Sequence, residues 1–79
     1  MRERRIFLRA YQKAPERIQS AFDKQVTLLI EDAHHPSLRA KKYDEARGLW
    51  QGRVTLDWRF YFTVEGDTYV LHEIKRHPK

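Results

Sequence analysis

The stretch WQGRVTLDWRFYFTV, residues 50–64, constrains the fold more than any other part of the chain. Apolar and polar residues alternate on both sides of a short break, which is the pattern of a β-hairpin. A three-residue loop, Leu56-Asp57-Trp58, is a length that hairpins commonly use. It sets Thr55 opposite Arg59, Arg53 opposite Tyr61 and Val54 opposite Phe60. Side chains alternate between faces along a strand, so Arg53, Thr55, Arg59 and Tyr61 share one surface, with the arginines as diagonal neighbours. Trp50, Val54, Phe60, Phe62 and Val64 share the other, with Gly52 opposite Phe62. One face suits a core and the other an anion. The plainer alternative is a half-solvated sheet with surface arginines.

The chain has 79 residues, the size of one domain near the lower limit for a self-sufficient core, so a partner or a dimer would add stability. Hydrophobic residues at 41% suffice to fold it, and charged residues at 34% place it among soluble proteins. No apolar run approaches the roughly 20 residues of a membrane span. The start, MRERR, leads into too short an apolar run for a signal peptide. The absence of cysteine excludes disulfides and thiolate metal sites and fits a reducing cytoplasm. A net charge of +5 favours polyanions or an acidic protein partner.

Phe7, Ala10, Tyr11 and Ala14 recur at helical spacing, giving a helix over residues 4–13, with a short strand at its start as the alternative. Pro15 and Glu16 suit the first turn of a second helix. Ile18, Ala21, Phe22, Val26, Leu29 and Ile30 give it one apolar face over residues 15–32. Residues 34–48 are polar and basic, with Leu38 as an anchor to the core and a short strand at 39–43. Strands follow at 49–55, 58–64 and 68–75. Glu65-Gly66-Asp67 forms the last turn. A three-residue turn puts Glu73 opposite Arg59 and faces Val70, His72 and Ile74 inward, whereas a two-residue turn reverses those faces. The order is that of an α+β domain with its helices on one face of an antiparallel sheet.

No nucleotide loop, zinc pattern or paired-carboxylate site is present. The chemistry available is cationic: Lys41, Lys42, Arg53, Arg59, Arg76, His77 and Lys79. Arginine can hold phosphate through two parallel hydrogen bonds. Histidine titrates near neutrality. Such a set can cleave RNA without a metal, with the 2′-hydroxyl attacking its own phosphodiester and Trp58 or Tyr61 stacking on a base. Duller roles exist for each residue. Arg59 can pair with Glu73, Asp57 can serve the turn alone, Trp58 can cap the apolar face, and Tyr61 can lie along the surface.

Several segments match one family in order and spacing. They are FLRAYQKAP from Phe7 to Pro15, His35-Pro36-Ser37-Leu38 followed by Lys41-Lys42, and Gly48-Leu49-Trp50 followed by Arg53-Val54. Trp58-Arg59-Phe60-Tyr61-Phe62 and the closing Ile74 to His77 complete the set. The chain resembles the RelE/ParE superfamily of small bacterial toxins from type II toxin–antitoxin modules. The resemblance implies one RelE-like domain over residues 1–79, a helical hairpin packed on a small antiparallel sheet of three to four strands. Family members usually begin with a strand, and here only Met1–Glu3 precedes the first helix, so that strand is expected to be short or missing.

By this likeness the chain is a cytoplasmic, ribosome-dependent mRNA endoribonuclease (an mRNA interferase that blocks translation) needing no cofactor. Arg53 and Arg59 match residues that bind or stabilise the scissile phosphate, His77 a terminal acid or base, and Asp57 an acidic residue of some members. Lys41, Lys42, Trp58, Tyr61, Arg76 and Lys79 are the expected RNA-binding set. The implied partners are a cognate antitoxin, the ribosome and mRNA. No membrane is expected, nor DNA except through the antitoxin complex. Two alternatives stay open: a ParE-like toxin that inhibits gyrase, and a catalytically weakened remnant that only binds antitoxin.

Overall fold

The computed structural model describes residues 1–77. Two helices, α1 (Arg5–Lys13) and α2 (Glu16–Glu31), lie within one residue of the expected spans. Pro15 separates them in extended conformation, and the Ala14 N–H closes the first helix on the Tyr11 carbonyl. Tyr11 also donates its hydroxyl to Asp23 Oδ1 at 2.8 Å, tying the two helices together. Among the described residues no helix is long and apolar enough to cross a membrane.

Five strands follow the order β1-β5-β4-β3-β2: β1 (Arg2–Glu3), β2 (Lys41–Asp44), β3 (Leu49–Arg53), β4 (Trp58–Glu65) and β5 (Thr68–Arg76). The expected three to four strands therefore become five. The addition is β1, which pairs parallel with β5 through Arg2–Val70 and Glu3–Leu71. Two residues carry no alternation to read, and their partners lie far along the chain.

The hairpin differs from its expected register by two residues. Arg53 faces Arg59, Gly52 faces Phe60, Gln51 faces Tyr61 and Trp50 faces Phe62. The connection holds four residues, 54–57, and Val54 N–H and Thr55 N–H both donate to the Trp58 carbonyl at 3.0 and 3.3 Å. A slip of two leaves each strand side chain on its expected face, so the apolar and cationic surfaces survive. It converts the arginines from diagonal to directly opposed neighbours.

The second hairpin turns on Gly66 and Asp67 alone, with Glu65 opposite Thr68 and Gly66 at φ 63°. The expected three-residue turn is thus replaced. A bulge then leaves His72 unpaired: Phe62 faces Leu71, but Tyr61 faces Glu73 and Phe60 faces Ile74. One extra residue reverses the alternation midway along β5. Leu71 and Ile74 both reach the core, while His72 contacts Thr63 Oγ1 at 2.8 Å on the other face. Val70 is buried outside that core cluster.

The helices cover one face only. Phe7, Ile18, Phe22 and Leu29 pack against Phe60, Phe62, Leu71 and Ile74, and Leu38 is the expected anchor, fully buried. Ile30, expected inside, is 62% exposed. Phe7, Phe22, Phe60 and Phe62 form a continuous aromatic row with centroid separations of 5.2, 5.3 and 5.6 Å. Burying each such ring contributes about 1.5–3 kcal/mol.

The Phe60 ring lies across Gly52, where a Cβ would stand 2.5 Å from two ring carbons. Gly52→Ala is expected to destabilise the fold by about 1–3 kcal/mol, because ring and strand must separate. The urea unfolding midpoint measures this, and an unchanged midpoint would refute the close packing.

Candidate active site

The uncovered face of the sheet carries a cleft of about 340 Å³, lined by Arg39, Ala40, Lys41, Gln51, Arg53, Arg59 and His77. Among the described residues four fixed cations and a histidine line it, and no carboxylate does. Strand pairing builds the arrangement. Arg53 and Arg59 are opposed across β3 and β4, and Lys41 faces Gln51 across β2 and β3.

Each cation is held differently. Arg53 has a buried Nε without a hydrogen-bond partner among the described residues. Its pKa is pushed down by burial first and then by Arg39 and Arg59, a consequence of like charges gathered together. Arg59 donates from Nη1 to the carbonyls of Thr55 (2.7 Å), Trp58 (3.0 Å) and Leu56 (3.1 Å), so it clamps the hairpin loop as well as lining the cleft. Its alternative partner is engaged elsewhere: Glu73 lies 3.8 Å from Lys75 and opposite Tyr61. Arg39 closes the 3-10 turn Pro36–Leu38 with φ 45°, a left-handed conformation that costs a non-glycine residue about 1–3 kcal/mol.

Gln25 connects these parts from beneath. It is a polar side chain buried in the apolar face of α2, 7% exposed. Its Nε2 donates to the Ser37 carbonyl at 3.1 Å and the Arg53 carbonyl at 2.9 Å. One amide thus ties the turn before Arg39 to the strand end that bears Arg53. His35 stiffens the same turn, its Nδ1 accepting from Ser37 N–H at 3.2 Å.

Of the residues singled out from sequence, Lys41, Arg53, Arg59 and His77 come together. Asp57 contributes through its backbone: its carbonyl accepts from His77 N–H at 2.6 Å, and its carboxylate is absent from the cleft lining. Tyr61 is on the expected face but buried, 3% exposed. Its hydroxyl accepts from Gln51 Nε2 at 3.0 Å, and Tyr43 packs on its ring, so it forms floor instead of a stacking surface.

Lys42 and Trp58 alternate to the helix side. The Lys42 ammonium stands 4.7 Å over the Trp50 ring, and Trp58 packs against the core. Arg76 pairs opposite Trp58 and shares its side. Lys79 lies outside the described residues. Arg39 and Gln51 are site residues that the sequence reading missed. Gln51 was legible, standing two positions before Arg53 on the same side of the strand. Arg39 was not, because its position depends on the turn.

No family model matches the chain, and no curated protein matches it in sequence. Solved structures do. A YoeB/ParE toxin from Agrobacterium tumefaciens superposes with a TM-score of 0.81 at 14% identity, over 98% of this chain and 96% of that one. A RelB-RelE antitoxin-toxin complex from Methanococcus jannaschii gives 0.79 at 14% identity, over 96% and 89%.

The fold is that of the RelE/ParE toxins. The likeness runs nearly end to end. At 14% identity the likeness is one of fold, so the chemistry of this RelE/ParE-like chain is argued from its own cleft.

Gln25→Leu removes both hydrogen bonds and leaves the two carbonyls without that donor. The expected cost is about 1–3 kcal/mol in thermal unfolding. A variant as stable as the parent would show that Gln25 does not tie the turn to the strand.

Proposed function

We propose that the chain is the toxin of a type II toxin–antitoxin module and cleaves mRNA on the ribosome. The observation that carries this reading is a cleft lined by three arginines, a lysine and a histidine, with no carboxylate among the described residues. Like charges held together repel, and a phosphate among them removes that cost. Arginine supplies fixed charge and paired donors to phosphate oxygens.

In the proposed reaction the 2′-hydroxyl oxygen of RNA bonds to the adjacent phosphorus, and the bond from phosphorus to the 5′-oxygen breaks. The products are a 2′,3′-cyclic phosphate and a 5′-hydroxyl. Arg53, Arg39 and Lys41 bind the scissile phosphate and stabilise the charge of the pentacoordinate state, Arg59 assisting with the guanidinium atoms not spent on the loop. His77, fixed through its backbone to Asp57, donates a proton to the departing 5′-oxygen. The 2′-hydroxyl, acidified by the surrounding cations, releases its proton to water.

Ribosomes place this activity in the cytoplasm. A cognate antitoxin, acidic where it covers the cleft, is the expected regulator. The antitoxin-toxin complex among the similar structures supports that partner.

The test is induction in a bacterium with mapping of mRNA 5′ ends against ribosome position. New ends within A-site codons are expected, reduced about 10²-fold or more by Arg53→Ala and by His77→Ala. Arg53 is the cleaner target than Arg59, whose loss also frees the loop. Growth arrest with DNA damage and no new ends would instead indicate a gyrase poison. Absence of arrest would indicate a remnant that binds antitoxin only.

A further inference from the structure

A second cavity, of about 350 Å³, is lined by Arg4, Ile6, Arg47, Leu49, His72 and Glu73. It lies on the same face of the sheet as the first. Leu49 precedes Gln51 by two positions on β3, about 7 Å of strand, and points to the same side. Glu73 faces Tyr61, which in turn faces Gln51. Strand β3 therefore runs beneath both cavities, and β5 leads from the second towards the first. Glu73 of β5 lines the second cavity and His77, the residue just past the strand, lines the first, with Lys75 between them, its ammonium 5.2 Å over the Tyr61 ring.

The charge of this cavity is also positive. Arg4 follows β1, Arg47 belongs to the turn between β2 and β3, and His72 is the bulged residue of β5. Of the neighbouring carboxylates, Glu73 lies 3.8 Å from Lys75 and Glu65 3.7 Å from Arg2, whereas Asp44 stands 3.9 Å from Arg47 itself and offsets part of its charge. His72 registers the field. Burial pushes its pKa down first, Arg4 adds to this, Glu65 opposes it, and Arg47 and Arg2 contribute further lowering. Beside the arginines stands Ile6, 59% exposed and outside the core cluster, with the buried Leu49 also in the lining. Guanidinium groups next to an apolar wall match the two halves of a nucleotide, its phosphate and its base or ribose.

We propose that this cavity is a second RNA subsite, which holds a phosphate flanking the scissile bond between Arg4 and Arg47 and seats the attached nucleoside against Ile6. The proposal rests on the endoribonuclease reading of the first cleft. A single strand leaving that cleft along the open sheet passes Lys75 and then meets Arg4 and Arg47. This continuity favours RNA over an acidic protein segment, which would need no path between the cavities.

The test uses the full chain and fluorescein-labelled single-stranded oligonucleotides, a dinucleotide and a dodecanucleotide, with 2′-deoxy sugars to prevent cleavage. Binding is followed by anisotropy across a salt series. The paired substitution Arg4→Ala with Arg47→Ala is expected to weaken the dodecanucleotide about tenfold or more and to lower the salt slope by about 0.7, the value for one phosphate of a single strand. Dinucleotide binding is expected to stay unchanged, whereas Arg53→Ala weakens both. Arg47→Glu, a charge reversal at an exposed turn, provides a second variant, and equal unfolding midpoints establish that the variants fold.

A paired variant that binds the dodecanucleotide like the parent, with the same salt slope, overturns the subsite. So does loss of binding to polyglutamate with RNA binding intact, which assigns the cavity to a protein. If the parent generates new mRNA ends in cells yet binds the dodecanucleotide no better than the dinucleotide, the subsite alone fails. Absence of new ends removes the reading of the first cleft.

Discussion

The contact between Phe60 and Gly52 sets the geometry on which the cleft depends. With the ring lying across a residue that has no side chain, β3 and β4 can pair in one way only, Gly52 against Phe60. That pairing places Arg53 against Arg59 one step further along. The aromatic row from Phe7 through Phe22 holds the ring on the helix side. The apolar face therefore specifies the positions of charges on the opposite face, although no charged group takes part in the packing. A sheet transmits position in this way because its two faces share one backbone, and a slip that moved the core would move the arginines with it.

Against that rigid frame, the cleft gathers groups that would rather separate. Arg53 with its unpartnered Nε, the left-handed Arg39 and the three-carbonyl clamp of Arg59 are each locally unfavourable or fixed arrangements. Strain of this kind persists where surrounding structure over-determines it. Gln25 supplies part of that determination by spending its amide hydrogens on the two segments that bear Arg39 and Arg53. A buried amide in an apolar helix face is otherwise costly, and here its donor atom is satisfied only by site backbone. Its position makes sense as support for the cleft more than as support for the core.

The α+β order, the helix spans and the two faces of the central hairpin were legible because each rests on local periodicity. So were Lys41, Arg53, Arg59 and His77, which stand at readable places on strands or just beyond one. The misreadings share another cause. Lys42 and Trp58 have the chemical type of RNA-binding residues, yet their parity sends them to the helix side, Lys42 over Trp50 and Trp58 against the core. Asp57 offers a carboxylate, yet it is its carbonyl that meets the His77 N–H. Arg39 and the short β1 depend on a turn and on a pairing between distant residues, which alternation does not encode. The resemblance to RelE/ParE toxins left the first strand short or missing; it is present, two residues long, and the similar structures bear out the fold.

The bulge at His72 shows how much a single unpaired residue decides. The two-residue turn at Gly66 and Asp67 by itself would send Leu71 inward and residues 73, 75 and 77 inward after it. The lysine and the histidine would then face the helices, and Ile74 would face solvent. With one residue bulged, Leu71 and Ile74 both enter the core, and Glu73, Lys75 and His77 emerge on the open face. The same residue, thrust out of the ladder, brings an imidazole to the edge of the second cavity. Core packing and the cationic face make opposite demands on β5, and no uninterrupted alternation satisfies both. The bulge is the smallest change in the chain that does.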